Sequence, residues 1–223
     1  MEEKKFVNVR KEEHAIKEFV KKEFGKGKIS TVKIEYTPVG EKIIVSTHKP
    51  GLVIGKRGEK IAELTDILKK KFKMENPHID IAEIKNPYFD AQLIADEIAL
   101  GLERFGSQRF KAICYKTLQK MKQAGALGAE IRASGKLPAE RAKSWRFAFG
   151  YLKKTGETAK IVDKAQSVAQ TIPGIIGIKV SILTPDKKIH DQIILSEDLM
   201  NQIKSNYNQT EEKEDKKKVK RRK

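Results

Sequence analysis

Ile16, Phe19, Val20 and Phe24 recur at helical spacing, and the glycines of "GKGK" end the run, so one amphipathic helix is predicted over 6–24. In "ISTVKIEYTPVGEKIIVST", residues 29–47, Val32, Ile34 and Tyr36 alternate with polar residues before Pro38-Val39-Gly40. That pattern predicts a hairpin. Pro50-Gly51 ends its second strand, and "LVI" forms one short apolar turn before "GKRG". "EKIAELTDILKKKF" then places Ile61, Leu64, Leu68 and Phe72 on one helical face, and "HIDIAEI" alternates Ile79, Ile81 and Ile84 as a strand.

Asn86-Pro87 breaks that strand, which puts a domain boundary near residue 87. A helix is predicted over 88–106. A second starts at 107, where Phe110, Ile113, Cys114, Thr117, Leu118 and Met121 step by three and four before Gly125. Strands are expected over 127–134, 144–152 and 175–183. The segment 158–171 has neither clean period and is read as strand. No internal repeat relates the halves. The expected class is α+β, its second domain a sandwich-like mixed unit with helices packed on a largely antiparallel sheet. The expected domains are 1–87, 88–195 and a tail, 196–223. From about residue 205, "NYNQTEEKEDKKKVKRRK" is too polar to bury anything and is expected to be disordered in isolation.

Charge changes this picture. The 223 residues carry 47 Lys and Arg against 30 Asp and Glu, a formal +17, which favours a polyanionic partner. The excess is +6 over 1–86, +8 over 87–195 and +3 beyond, so both folded units share it. No run of about 18 apolar residues occurs, and "MEEKKFVNVRKEE" lacks the apolar core of a signal peptide, so the expectation is a cytoplasmic protein without a membrane partner. Cys114 is the only cysteine, which excludes an internal disulfide and a Cys-rich zinc site; its apolar stripe makes it a core residue.

Gly-x-x-Gly occurs three times, at Gly55, Gly125 and Gly174. The last two have apolar centres and lead into strands, so they read as tight connections. Only "GKRG" holds two cations and precedes an amphipathic helix. Gly55 and Gly58 would let the backbone approach phosphates, the following helix N-terminus adds partial positive charge, and Lys56 and Arg57 neutralise phosphates without reading bases. Val53 and Ile54, with Ile61 and Leu64, offer an apolar floor for unstacked bases, although some of them must also be core. Loop and element order together resemble a type II K-homology (KH) domain, a fold that clamps about four nucleotides of single strand.

The second unit has its own basic positions. Arg109, Lys116 and Lys120 fall at i, i+7 and i+11, opposite the apolar stripe, which also describes an ordinary solvated helix face. In "ASGKLPAERAKSWRFAFG", Lys136, Arg141, Lys143 and Arg146 surround a loop, with Trp145, Phe147 and Phe149 alternating. The aromatics are assigned to the core and the cations to RNA. Catalysis is the rival reading. The four histidines, at 14, 48, 78 and 190, are scattered; the best local group, Asp186, His190 and Asp191, reads as an exposed loop. No lysine stands out as a buried nucleophile. No catalytic residue, metal or cofactor is expected.

Four motifs in one order, "PGLVIGKRGEKIAEL", "GAxGxEIxxSGKL" from 125, "ERAKSWRF" and "GIIGIKVSI", resemble the small-subunit ribosomal protein S-three family over nearly all of residues 6–185. "SGKL" with "RAKS" is closer to the archaeal and eukaryotic branch. The resemblance implies a structural constituent of the small ribosomal subunit, binding ribosomal RNA and neighbouring proteins in the head. It also implies a contribution to the channel through which mRNA enters. The loop residues carried over are Gly55, Lys56, Arg57 and Gly58. The mRNA-facing positions fall around Arg109, Lys111 and Lys116, with Lys120 on the same line; the match is partial, because Ala112 and Tyr115 stand where bacterial members have cations. The alternative is a free-standing regulatory KH protein that binds short single strands.

Overall fold

The computed structural model describes residues 2–38, 40–72, 74, 76–187 and 200. Up to Lys187 the chain forms one compact unit, inside which two hydrophobic cores are separate.

The first core is built from helix α1 (Glu2–Phe24), strands β1 (Ile29–Thr37) and β2 (Gly40–Thr47), the short helix α2 (Pro50–Ile54), helix α3 (Glu59–Phe72) and strand β3 (His78–Glu83). β1 and β2 pair antiparallel and β2 and β3 parallel, giving the order β1-β2-β3. Ile43 and Val45 of β2 are fully buried under Leu64 and Leu68 of α3 and Ile16, Val20 and Phe24 of α1. Only the second half of α1 is needed for this core: Phe6, Val7 and Val9 are exposed. The helix begins at Glu2, four residues before the predicted range 6–24.

The second core lies between helices α4 (Ala91–Phe105) and α5 (Phe110–Gln123) and one face of a sheet made of β4 (Gly128–Gly135), β5 (Lys143–Gly150), β6 (Asp163–Thr171) and β7 (Gly174–Leu183). The order is β5-β4-β7-β6, antiparallel throughout. Ala129, Ile131 and Ala133 of β4 and Ile176, Ile178, Val180 and Ile182 of β7 face the helices. Cys114 is fully buried there, and burial pushes its thiol up to about 12. The ambiguous segment 158–171 is strand from Asp163, preceded by a single 3-10 turn at Glu157–Lys160.

Polar contacts join the halves. Gly27 N–H donates to Asp96 Oδ2 at 3.0 Å, and Ser30 Oγ donates to Asp90 Oδ2. Lys26 Nζ donates to Glu103 Oε1 at 3.0 Å and to the Val168 carbonyl at 2.8 Å. The other oxygen of Asp90 caps α4 by accepting from the Gln92 and Leu93 amides, and Asp163 of β6 accepts from the Ala91 amide. Glu103 also accepts from the Gln170 amide, so it covers part of the open edge of β6. The expected tail, 196–223, lies outside the described residues apart from Met200. Among the described residues no helix is long and apolar enough to cross a membrane.

Candidate nucleic-acid interface

The loop between α2 and α3 is held from below. The Thr47 hydroxyl, fully buried, donates to the Lys28 carbonyl at 2.6 Å and accepts from the Lys49 amide at 3.2 Å. This pins the end of β2 where α2 begins. Pro50 opens α2, Val53 plugs it into the core, and the Gly55 amide closes it on the Gly51 carbonyl at 3.1 Å. Val53 and Leu64 therefore do not form the expected apolar floor: both are needed in the core. Ile54, 37% exposed, and Leu52, 47% exposed, are the apolar side chains beside the loop that remain open.

The loop backbone is unusual. Gly55 sits at φ 75, ψ −171 and Gly58 at φ 81, conformations that side-chain-bearing residues rarely adopt. Between them Arg57 sits at φ 54, ψ 22, the only non-glycine among the described residues with positive φ. Such strain costs on the order of 1–2 kcal/mol and persists only where the surroundings impose it. Arg57 and Gly58 follow one another at positive φ directly ahead of α3, whose N-terminal partial positive charge suits an anion. Lys56 and Arg57 are exposed and make no ion pair among the described residues. Sequence reading missed a third cation, Lys60: a Cβ built on Gly55 would meet its Cγ at 2.8 Å, so its stem lies over the loop.

In the second unit Lys136, Arg141 and Lys143 are exposed and free of ion pairs among the described residues. Arg146 is not: its Nε lies 3.1 Å from Glu130 on the neighbouring strand. Arg109 precedes α5 as its N-cap residue, so it starts the basic line from outside the helix. Lys111 Nζ stands 4.7 Å from the centroid of the Trp145 ring, and Lys116 is exposed. Lys120 leaves the line, turning to Glu97 at 2.7 Å and lying over Tyr88; the hydrogen bond it donates to Glu97 holds its pKa above the usual lysine value. Tyr115, 62% exposed, leans edge-on against Phe147 at 5.1 Å and adds an open aromatic surface beside Lys111. Among the described residues no His, Cys, Asp and Glu group could hold a metal. Asp186 is exposed, while His190 and Asp191 lie outside the described residues.

Two family models match in chain order, the KH domain over residues 15–88 and the C-terminal domain of ribosomal protein S3 over residues 98–182. Small ribosomal subunit protein uS3 of Methanocaldococcus jannaschii is 42% identical over 199 residues, 89% of this chain and 95% of the relative. The chain belongs to the uS3 family. The uS3 of Halobacterium salinarum is 35% identical over 88% of this chain and 65% of its own length, and that of Methanococcus maripaludis is 34% identical over 88% and 92%. These relatives are archaeal, one of the two groups in the archaeal and eukaryotic branch to which "SGKL" and "RAKS" are closer. In this uS3-family chain the KH match contains α2, "GKRG" and α3, and the S3 match contains the loop bearing Lys136, Arg141 and Lys143.

Proposed function

We propose that this chain is a structural constituent of the small ribosomal subunit, where it binds small-subunit ribosomal RNA and neighbouring head proteins and borders the path by which mRNA enters. The observation that carries this reading is the alignment to a uS3 along 95% of that relative's length, with both family matches in order. The division into 1–87, 88–195 and a tail from 196 is part of the proposal, and the two separate cores support it.

The site chemistry agrees. Lys56, Arg57 and Lys60 present unpaired charge around a strained loop at a helix start, which suits phosphates and leaves bases unread. Lys136, Arg141 and Lys143 offer a second contact to ribosomal RNA. Arg109, Lys111 and Lys116, with Tyr115 among them, face mRNA in this reading; the aromatic ring replaces a phosphate contact by a stacking surface. We assign no catalytic role, and the place of work is the cytoplasmic ribosome.

The test compares the full chain on 12-nucleotide single strands and on intact small-subunit ribosomal RNA at several salt concentrations. The reading expects weak, sequence-indifferent binding to the oligonucleotides and tight binding to the long RNA. Tight, selective binding to one short strand would instead favour a regulatory KH protein.

A further inference from the structure

We propose that the open face of the second sheet, opposite α4 and α5, is an additional anion site that grips the phosphodiester backbone of double-helical RNA. Arg146, Arg132, Lys179 and Gln166 stand in one register row across β5, β4, β7 and β6. Glu130, Ser181 and Lys164 occupy the row two residues along. Like charges placed opposite one another across strands repel, so three adjacent cations need a counter-charge.

Glu130 supplies only part of it. Its carboxylate lies 2.6 Å from Lys154 Nζ and 3.1 Å from both Arg132 and Arg146. One negative charge thus serves three cations. Lys164 and Lys179 make no ion pair among the described residues, although they line the same cavity of about 200 Å³ as Glu130, Arg132, Lys154 and Ser181. The carboxylate is nearly buried while the cations around it stay about half exposed, so it holds their charged ends at the mouth of a concave, net-positive site.

The chemistry of the face favours a duplex. In its basic part the outward residues are Ser, Arg, Lys, Gln, Ala and Glu, because Trp145, Phe147 and Phe149 point to the helices, so no aromatic ring is offered there to unstacked bases. Double-helical RNA presents phosphates and 2′-hydroxyls, which Lys, Arg and Ser can bind without reading sequence. Val168 and Ile175, both exposed, bound the basic part at the far end of the face.

The inference rests on the RNA-binding reading above only for its choice of polyanion. The test uses the full chain, a blunt 20-base-pair RNA duplex and a 12-nucleotide single strand across a salt series. The variants are Lys164→Glu with Lys179→Glu, and Lys56→Asp with Arg57→Asp. The sheet variant should lose duplex affinity by roughly tenfold and lower the salt slope by about 1.8, two contacts at the duplex value. The loop variant should weaken single-strand binding and keep the duplex. An unchanged duplex slope in the sheet variant overturns this inference even if the loop variant behaves as expected. Unchanged single-strand binding in the loop variant overturns the loop reading alone. Glu130→Gln provides a check that charge reversal has not merely unfolded the sheet: it should raise duplex affinity, and unchanged or lower affinity in a folded variant counts against the site. Binding of poly-glutamate as tight as that of the duplex would overturn the assignment to RNA.

Discussion

Arg57→Gly should make the protein more stable and a poorer RNA binder at once. Arg57 holds φ 54, ψ 22, which costs a side-chain-bearing residue about 1–2 kcal/mol. Glycine removes that cost but loses about 0.4–1 kcal/mol through its freer unfolded chain. The side chain is exposed and has no ion pair among the described residues, so no contact is lost in exchange. The net is a gain of roughly 0.5–1 kcal/mol. Because the chain holds two cores, the gain is read locally, from the exchange protection of the Ile43, Val45 and Leu68 amides in the first core. In parallel, the salt slope for a single strand should fall by about 0.7, one phosphate contact. Loss of protection would refute the strain argument, and an unchanged slope would refute the phosphate contact.

Three further outcomes follow from the packing. Leu68→Ala, at a fully buried position between α3 and the first sheet, should cost about 2–5 kcal/mol of first-core stability, read by the same amides. Glu103 has its carboxyl held below the ordinary range, first by the Gln170 amide and then by Lys26, against the opposing effect of burial. A depressed carboxylate contributes stability above its unfolded value and loses it as pH falls through the folded one; protection at Gln170 should therefore drop on acidification below the ordinary Glu range, and Glu103→Gln should flatten that dependence. Cys114, with its thiol pushed to about 12 by burial, should resist iodoacetamide at pH 8 in the folded protein and react in denaturant; modification under native conditions would contradict its packing.

The elements that periodicity made legible are those with strong contrast between their faces. α3 is plain because Leu64 and Leu68 alternate with lysines and acids. β6 is obscure because its inward positions, Ala165, Ser167 and Ala169, are small where α4 packs closely, so burial leaves little hydrophobic signal. The cations of "GKRG" could be read from spacing, but the left-handed backbone of Arg57 and the approach of Lys60 could not, since both arise from the turn between α2 and α3. The charges of Lys120 and Arg146 are met by Glu97 and Glu130, partners brought across from another helix and another strand. Only the fold separates them from the free cations. Arg132, Lys164 and Lys179 come onto one face only through the pairing of β4 with β7 and of β7 with β6, which the sequence pattern did not show.

The central claim meets its most direct test in sucrose-gradient sedimentation of a cell extract containing the native protein, with low-salt and high-salt washes. Co-migration with small ribosomal subunits through the high-salt wash is the outcome this account predicts. Migration as free protein, or release at modest salt, would contradict it.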